Sequence, residues 1–375
     1  MFDEIPLIDH HCHGIRKGDL DRVAFEALIS ESYRPPARHT DHFFKPLGLL
    51  ILRDCAPLIG LEPHCEPDAY IERRAALGHE EAARRLLGAS GISTYLVDTG
   101  HRAEDLTTPE ELAALANAEA REVVRIEAVI EEVARIGELA SFARRCEEAL
   151  LSRARGAVGL KSVIAYRATF AIDQSRPSGV AVAEAAEAWL KELGDSRPRL
   201  VDPVLLRFGL WLGLDVCRTL EIPLQVHVGF GDPDVYMYAC DPTRLTDFLR
   251  AAEDAEVPVT LLHNYPFIRE AGWLAEIFQN VYYDVGAILN FLGASAGGAM
   301  RHAMELGPFG KHLFSSDAFG LPELHYLGAL QFRRTLGAVI DRWISGGHCS
   351  AAQADRIVRA IASANASAIY PLERR

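Results

Sequence analysis

Four places along the chain carry residue types that bind cations. His11 and His13 stand two residues apart, and His227, His263 and Asp317 follow far downstream. Side chains two apart on an extended segment point the same way, so the imidazoles of His11-x-His13 can converge on one ion. His10 is expected to point to the opposite side and to be structural. An HxH pair can also merely cap loop polar groups, and a single histidine at a strand end more often satisfies a hydrogen bond than binds a metal. Ligand-type residues at four separate strand ends are harder to explain that way. Imidazole and carboxylate together suit zinc, manganese or iron, with one position left open for water. A cation there lowers the pKa of its bound water towards about 7.

The elements that must position these residues alternate. Short β-branched or apolar runs are followed by longer helical patterns, which predicts βα units and a parallel sheet. Eight runs fit: Ile5–Asp9, Ile92–Asp98, Val123–Ala128, Ala157–Tyr166, Leu224–Gly229, Val257–His263, Val281–Val285 and His312–Asp317. Helical patterns include one opening at Thr108-Pro109-Glu110-Glu111, where a capping residue precedes a proline at the first helical position. Others cover about 130–155, 322–344 and 351–370. Residues from about 18 to 90 read as mostly helical, broken at Tyr33-Arg34-Pro35-Pro36. That stretch is too long for an ordinary βα connection. The expectation is an α/β fold, a (β/α)₈ barrel (TIM barrel) with a helical insertion after strand 1, as one domain over 1–375. A doubly wound open sheet is the alternative. It needs a ligand crevice at a strand-order switch, and no GxGxxG-type turn follows an early strand. The polar residues gather at the C-terminal ends of different strands, where barrel enzymes keep their chemistry.

The bulk properties agree. The chain has 375 residues, and a (β/α)₈ barrel alone takes about 250 before insertions. A formal net charge of −13 argues against a nucleic-acid binder. The seven cysteines include no CxxC pair, so neither a disulfide framework nor a cysteine zinc site is indicated. Met1-Phe2-Asp3-Glu4 lacks the basic start and apolar run of a signal peptide. No apolar stretch reaches the ~20 residues that span a membrane. The expectation is a cytoplasmic protein without a nucleic-acid or membrane partner, acting on a small molecule. Barrels of this kind often pair, so a homo-oligomer is compatible, although no interface is legible.

Taken together, the chain resembles the amidohydrolase superfamily over nearly its whole length. The pattern there is HxH after strand 1, His after strand 5, His after strand 6 and Asp after strand 8. The resemblance implies that His11 and His13 ligate the metal, joined by His227, His263 and Asp317, with Asp317 ligating or taking the proton. Ser315-Ser316-Asp317-Ala318-Phe319-Gly320-Leu321-Pro322-Glu323 is similar to the amidohydrolase domain found fused to glutamine-synthetase-like proteins, as is Leu160-Lys161-Ser162 followed by Ala165-Tyr166-Arg167. Gln331-Phe332-Arg333-Arg334 resembles a segment of uronate isomerases.

Some superfamily members bridge two metals with a carboxylated lysine at the end of strand 4, which gives Lys161 a candidate role. Four strand-like residues follow it, however, and they would leave Tyr166 or Arg167 at the strand end. A buried lysine paired with an acid is the other reading. Arg167, Arg333 and Arg334 are candidate carboxylate clamps, since guanidinium binds carboxylate bidentately, with surface salt bridges as the plainer account of Arg333 and Arg334. Asp232 and Asp234 could touch substrate or simply shape a loop. Asp98 and Asp284 could orient the histidines.

The reading is therefore a metal-dependent hydrolase that cleaves a C–N (amide) bond of a small carboxylate-bearing substrate. It uses a divalent metal, zinc before manganese, as one or two ions. Catalysis falls to Asp317 and His263. The metal set is His11, His13, His227, Asp317 and Lys161, with Arg167 and Tyr166 on the substrate. The alternative keeps the metal and makes the reaction a uronate-isomerase-like or decarboxylase step on a small organic acid. A catalytically silent scaffold would be marked by a lost ligand residue, and all five positions are present.

Overall fold

The structure is a computed structural model that describes residues 4–102, 104–137, 141–193 and 198–373. Seven parallel strands form one sheet in chain order: β1 (Leu7–Cys12), β2 (Ile92–Asp98), β3 (Glu119–Arg125), β4 (Gly159–Ser162), β5 (Leu224–Val228), β6 (Val259–His263) and β7 (Val281–Tyr283). Residues 312–317 stand where an eighth strand is expected. On one side Leu313 N–H donates to the Tyr283 carbonyl (2.9 Å). On the other, His10 N–H donates to Phe314 O (3.1 Å) and Asp317 N–H to His11 O (3.1 Å). These bonds close the ring between β7 and β1, so the fold is a (β/α)₈ barrel whose eighth member is an extended segment with few ladder bonds.

Several boundaries differ from the sequence reading, two of them for visible reasons. β4 stops at Ser162 and does not run to Tyr166. The Glu127 carboxylate accepts from Ser162 Oγ (2.7 Å) and Val163 N–H (2.9 Å), while Ser162 Oγ accepts from Ile164 N–H (3.3 Å). The backbone is thereby turned into the short helix Ile164–Arg167. β3 ends at Arg125, and Ile126–Ala134 is helix. Glu127 lies in the first turn of that helix, where an acid is favoured by the helix dipole. The expected helix over 130–155 is two helices, Ile126–Ala134 and Phe142–Ala154, and residues 138–140 lie outside the described residues. The opening at Thr108 is as expected: Thr108 Oγ1 accepts from Glu111 N–H (3.2 Å), and Glu111 returns an acceptor to Thr108 N–H (2.8 Å).

Helices Arg22–Leu28, Pro46–Leu50, Pro67–Leu77 and His79–Ala89 fill the stretch between β1 and β2. His79–Ala89 places Ala83 and Leu87 in the main core beside Ile5 and Leu7, so it serves as the barrel's own crossover helix. The other three build a separate apolar cluster from Phe25, Phe43, Leu47, Ile51 and Tyr70 against Leu324 and Leu327 of the long helix Pro322–Ser345. A buried Arg74–Glu323 pair (2.7 Å) ties them to that helix. At the barrel floor Tyr370 packs with Ile8, Leu96, Val123, Val158 and Leu313, so the chain's end seals the barrel from below. No helix among the described residues is long and apolar enough to cross a membrane.

Candidate metal centre

The barrel brings the widely spaced ligand types into one bowl. His11 Nε2 lies 3.1 Å and His13 Nε2 3.7 Å from Asp317 Oδ1, and His263 Nε2 lies 3.3 Å from Asp317 Oδ2. The His227 ring is 4.8 Å from that of His263, centroid to centroid. All four histidines are buried, while the Asp317 side chain keeps 19% of its exposure and faces the mouth. Both Asp317 (φ 47°) and His263 (φ 70°) sit in the left-handed region, as does Asn264 (φ 60°). Non-glycine residues hold that conformation only where their surroundings over-determine it, and such residues cluster at functional sites. Gly229, just after β5, has φ 73°, and a Cβ there would sit 2.2 Å from Tyr265 O. Only glycine lets the ends of β5 and β6 approach this closely, and with them His227 and His263.

Hydrogen bonds fix which imidazole nitrogen faces the bowl. Gln225 Nε2 donates to His10 O (2.7 Å), so its Oε1 is the atom 2.9 Å from His11 Nδ1. An amide oxygen only accepts, so His11 carries its proton on Nδ1 and leaves Nε2 as a lone pair. His13 Nδ1 lies 3.2 Å from the Asp98 carbonyl, with the same consequence. Burial pushes the pKa of His11, His227 and His263 well below the ordinary imidazole range, and that of His13 to about 3. These are neutral imidazoles. Burial pushes Asp317 up, against the opposing charge of Lys161.

The structure corrects several expectations. β4 ends one residue after Lys161, so Lys161 is not too low in the barrel. Its Nζ lies 2.7 Å from His11 Nε2 and 3.6 Å from Asp98 Oδ2. Burial lowers its pKa, with Asp98 and Asp317 opposing. Arg167 is not a free clamp: on the helical turn after β4, its Nη1 pairs with Glu131 Oε1 (3.0 Å) and reaches Leu200 O (3.4 Å). Tyr166, on the same turn, does reach the bowl, with its ring 4.2 Å from that of His227. Arg333 donates to Ile5 O and Gly91 O at the N-terminal end of the barrel, and Arg334 pairs with Asp54 of the insertion (2.9 Å), so neither is near the bowl. Asp232 accepts from Asp234 N–H (2.9 Å) and lies within electrostatic reach of Tyr166 and Glu31, and Asp234 pairs with Arg199.

His10 does not point away. β1 sets three steps, Asp9 to Cys12, against two on β2, Tyr95 to Val97, and this bulge puts His10 inside the barrel beneath His11. Its Nε2 bonds Asp284 Oδ2 (2.9 Å), and Asp284 Oδ1 accepts from His263 N–H (2.9 Å). Asp98 receives Arg125 on Oδ2 (3.1 and 2.6 Å). Burial works to raise Asp98, but Arg125 and Lys161 outweigh it and hold the carboxylate ionised. Gln225 and Arg125 went unread. Gln225 could have been found as the inward polar residue two before His227. Arg125 was hidden by the misplaced end of β3.

Residues 8–372 match the amidohydrolase family. The chain belongs to that family. Its relatives include the protein fluG of Emericella nidulans, 26% identical over 99% of this chain and 46% of the relative, so the chain spans about half of that protein's length. Among solved structures, a Lactobacillus casei protein described as a metal-dependent hydrolase shares 25% identity with a TM-score of 0.86, covering 100% of this chain and 97% of the other. The glucuronate isomerase of Caulobacter crescentus (13%, TM-score 0.65, covering 100% and 93%) and the uronate isomerase of Thermotoga maritima (12%, TM-score 0.63, covering 98% and 95%) share the barrel fold. This amidohydrolase is thus an enzyme on a barrel whose similar structures include a metal-dependent hydrolase.

The donor atoms of this amidohydrolase suit a divalent cation. His227 Nε2 and both ring nitrogens of His263 are buried without a hydrogen-bond partner. Leaving such groups unpaired costs about 1–3 kcal/mol each. A cation shared by His227 Nε2, the lone pairs of His11 and His13, and Asp317 would satisfy His227, while His263 Nε2, 3.3 Å from Asp317 Oδ2, stands beside it; the two nitrogens of that one ring face apart and do not share an ion. The donor atoms of His11, His263 and Asp317 lie within 4.8 Å of one another, as do those of His11, His13 and Asp98.

Proposed function

We propose that this amidohydrolase cleaves the C–N bond of a small amide with the help of a divalent metal held by His11, His13, His227 and Asp317, with Lys161 beside them. The observation that carries the reading is the convergence of the neutral imidazoles of His11, His13 and His263 on the Asp317 carboxylate, the first two with their tautomers fixed. The nitrogen-rich donor set favours zinc, with manganese as the competitor. When bound, the metal supplies an activated water and polarises the scissile carbonyl.

The chain's own residues do the rest. Asp317, the one group of the set open to the mouth, accepts the proton released by the attacking water and returns it to the leaving amine. His263, held by its strained backbone and by Asp284, faces the carbonyl oxygen as negative charge develops there. Tyr166 stays protonated because burial raises its pKa well above 10, so its hydroxyl is a donor to the substrate. With Arg167 committed to Glu131, a substrate carboxylate has another cation to meet. Lys45 of the insertion lies over the Phe291 ring (5.4 Å) and within electrostatic reach of Glu31, which in turn acts on Tyr166 and Asp317.

The test is turnover by protein loaded with zinc or manganese on a panel of γ-glutamyl amides, other amides and uronates. Release of amine, abolished by a chelator and restored by metal, supports the reading. Isomerisation of a uronate with every amide untouched replaces it with the isomerase chemistry. No turnover of any amide by loaded protein sinks it.

A further inference from the structure

We infer that the hydroxyl of Tyr370, five residues from the end of this sequence, positions the metal-facing nitrogen of His11 through a hydrogen-bond relay across the barrel floor. The inference rests on reading His11 as a metal ligand.

The relay can be followed atom by atom. Gln225 Nε2 donates both to His10 O (2.7 Å) and to the Tyr370 hydroxyl (2.9 Å). That uses both amide hydrogens and points Oε1 at His11 Nδ1. The Tyr370 oxygen accepts from Gln225, so its own hydrogen goes to His10 Nδ1, 3.0 Å away. His10 must then carry its proton on Nε2, which donates to Asp284 Oδ2 (2.9 Å). Asp284 Oδ1 receives the backbone N–H groups of His263 (2.9 Å) and Gly286 (2.6 Å). In this assignment every donor in the chain has one acceptor. His10, His11, Gln225 and Asp284 are wholly buried and Tyr370 nearly so, shielded from bulk solvent. One hydroxyl therefore sets two branches: through Gln225 it holds the His11 tautomer, and through His10 and Asp284 it holds the backbone at His263.

Losing that hydroxyl leaves the orientation of Gln225 to its single remaining bond with His10 O. The amide then has one partner fewer on the side that fixes its orientation, and a flipped amide would present NH₂ to His11 Nδ1. His11 would have to move its proton to Nε2, the nitrogen that should face the metal. Partners of this kind, bonded to a ligand and not to the metal, typically contribute 10–100-fold in metal affinity.

The experiment uses the full chain with Tyr370→Phe, which keeps the apolar plug and removes one oxygen. Two readouts are taken: the tautomer of His11 by ¹⁵N NMR of the chelated protein, and zinc affinity by competition with a chelator. The expected result is a folded variant with mixed His11 tautomers and zinc affinity lowered about 10–100-fold. Gln225→Leu, one bond nearer His11, should lower affinity at least as far, and it decides the matter if Tyr370→Phe does not fold. Either variant, folded, with His11 still protonated only on Nδ1 and zinc affinity within twofold of the parent, overturns the relay. His227→Ala is the reference for the metal reading. If it too leaves zinc affinity unchanged, the proposed centre fails, and the tautomer readout alone then judges the relay.

Discussion

The Nζ of Lys161 lies 2.7 Å from Nε2 of His11, the nitrogen left free for a metal. A protonated lysine and a cation cannot share that place. Two unit charges about 4 Å apart repel by about 4 kcal/mol at an effective dielectric near 20. Metal binding must therefore find Lys161 neutral, as its burial already favours, or converted by CO₂ to a carbamate with release of a proton. The carbamate would add oxygen donors beside His11. The expected outcome is near two metals per chain in the presence of bicarbonate, falling to one or fewer in Lys161→Met. Near one metal in both proteins removes the bridging role and leaves a single-ion site.

Asp317→Asn should lower turnover by about 10²–10⁴-fold, the usual range for a lost acid–base group, while the protein stays folded. Asparagine keeps the shape and the hydrogen bond from Asp317 N–H to His11 O that pins the segment (3.1 Å). Steady-state rates and a thermal melt on the same preparation check this. A near-normal rate would show that another group takes the proton.

Much of this candidate site is legible in the sequence because its donor residues end strands, and strand ends are marked by apolar runs. His11, His13, His227, His263 and Asp317 all came from that rule. What was misread follows from side chains acting at a distance. Nothing local says that β4 stops at Ser162, because the carboxylate that stops it belongs to Glu127, 35 residues earlier. That one bond decides whether Lys161 or Arg167 stands at the strand end. The bulge in β1 is equally invisible, since it depends on the register with β2, and it turns His10 inward. The eighth strand was correctly placed, although its hydrogen bonds are too few to form a regular ladder.

Arg167→Gln should behave as a structural change. The Arg167–Glu131 pair is largely buried, and Glu131 also accepts from Leu200 N–H (2.8 Å). Losing one charged hydrogen-bond partner costs about 1.5–3 kcal/mol, so denaturation midpoints should fall while KM stays within about twofold of the parent. A large rise in KM for carboxylate substrates at unchanged stability would restore Arg167 as their clamp.

His312 gives a pH test away from the bowl. Its ring stacks on Tyr283 (4.9 Å between centroids), neither nitrogen has a hydrogen-bond partner among the described residues, and burial pushes its pKa down to about 4. The unfolded chain binds this proton near pH 6.5, so the folded state needs the neutral ring. The group's contribution is fully present above pH 6.5 and is lost as pH falls from there towards about 4. His312→Phe keeps the stacked ring and removes the titration. Its stability relative to the parent should therefore improve by about 2 kcal/mol between pH 7 and pH 5, at 1.36 kcal/mol per pKa unit, whatever the offset at pH 7. Urea denaturation at both pH values, with metal chelated throughout, measures the difference. An offset that does not change with pH would mean that the folded ring takes up its proton as readily as the unfolded one, and with it that a partner or water reaches the ring stacked on Tyr283.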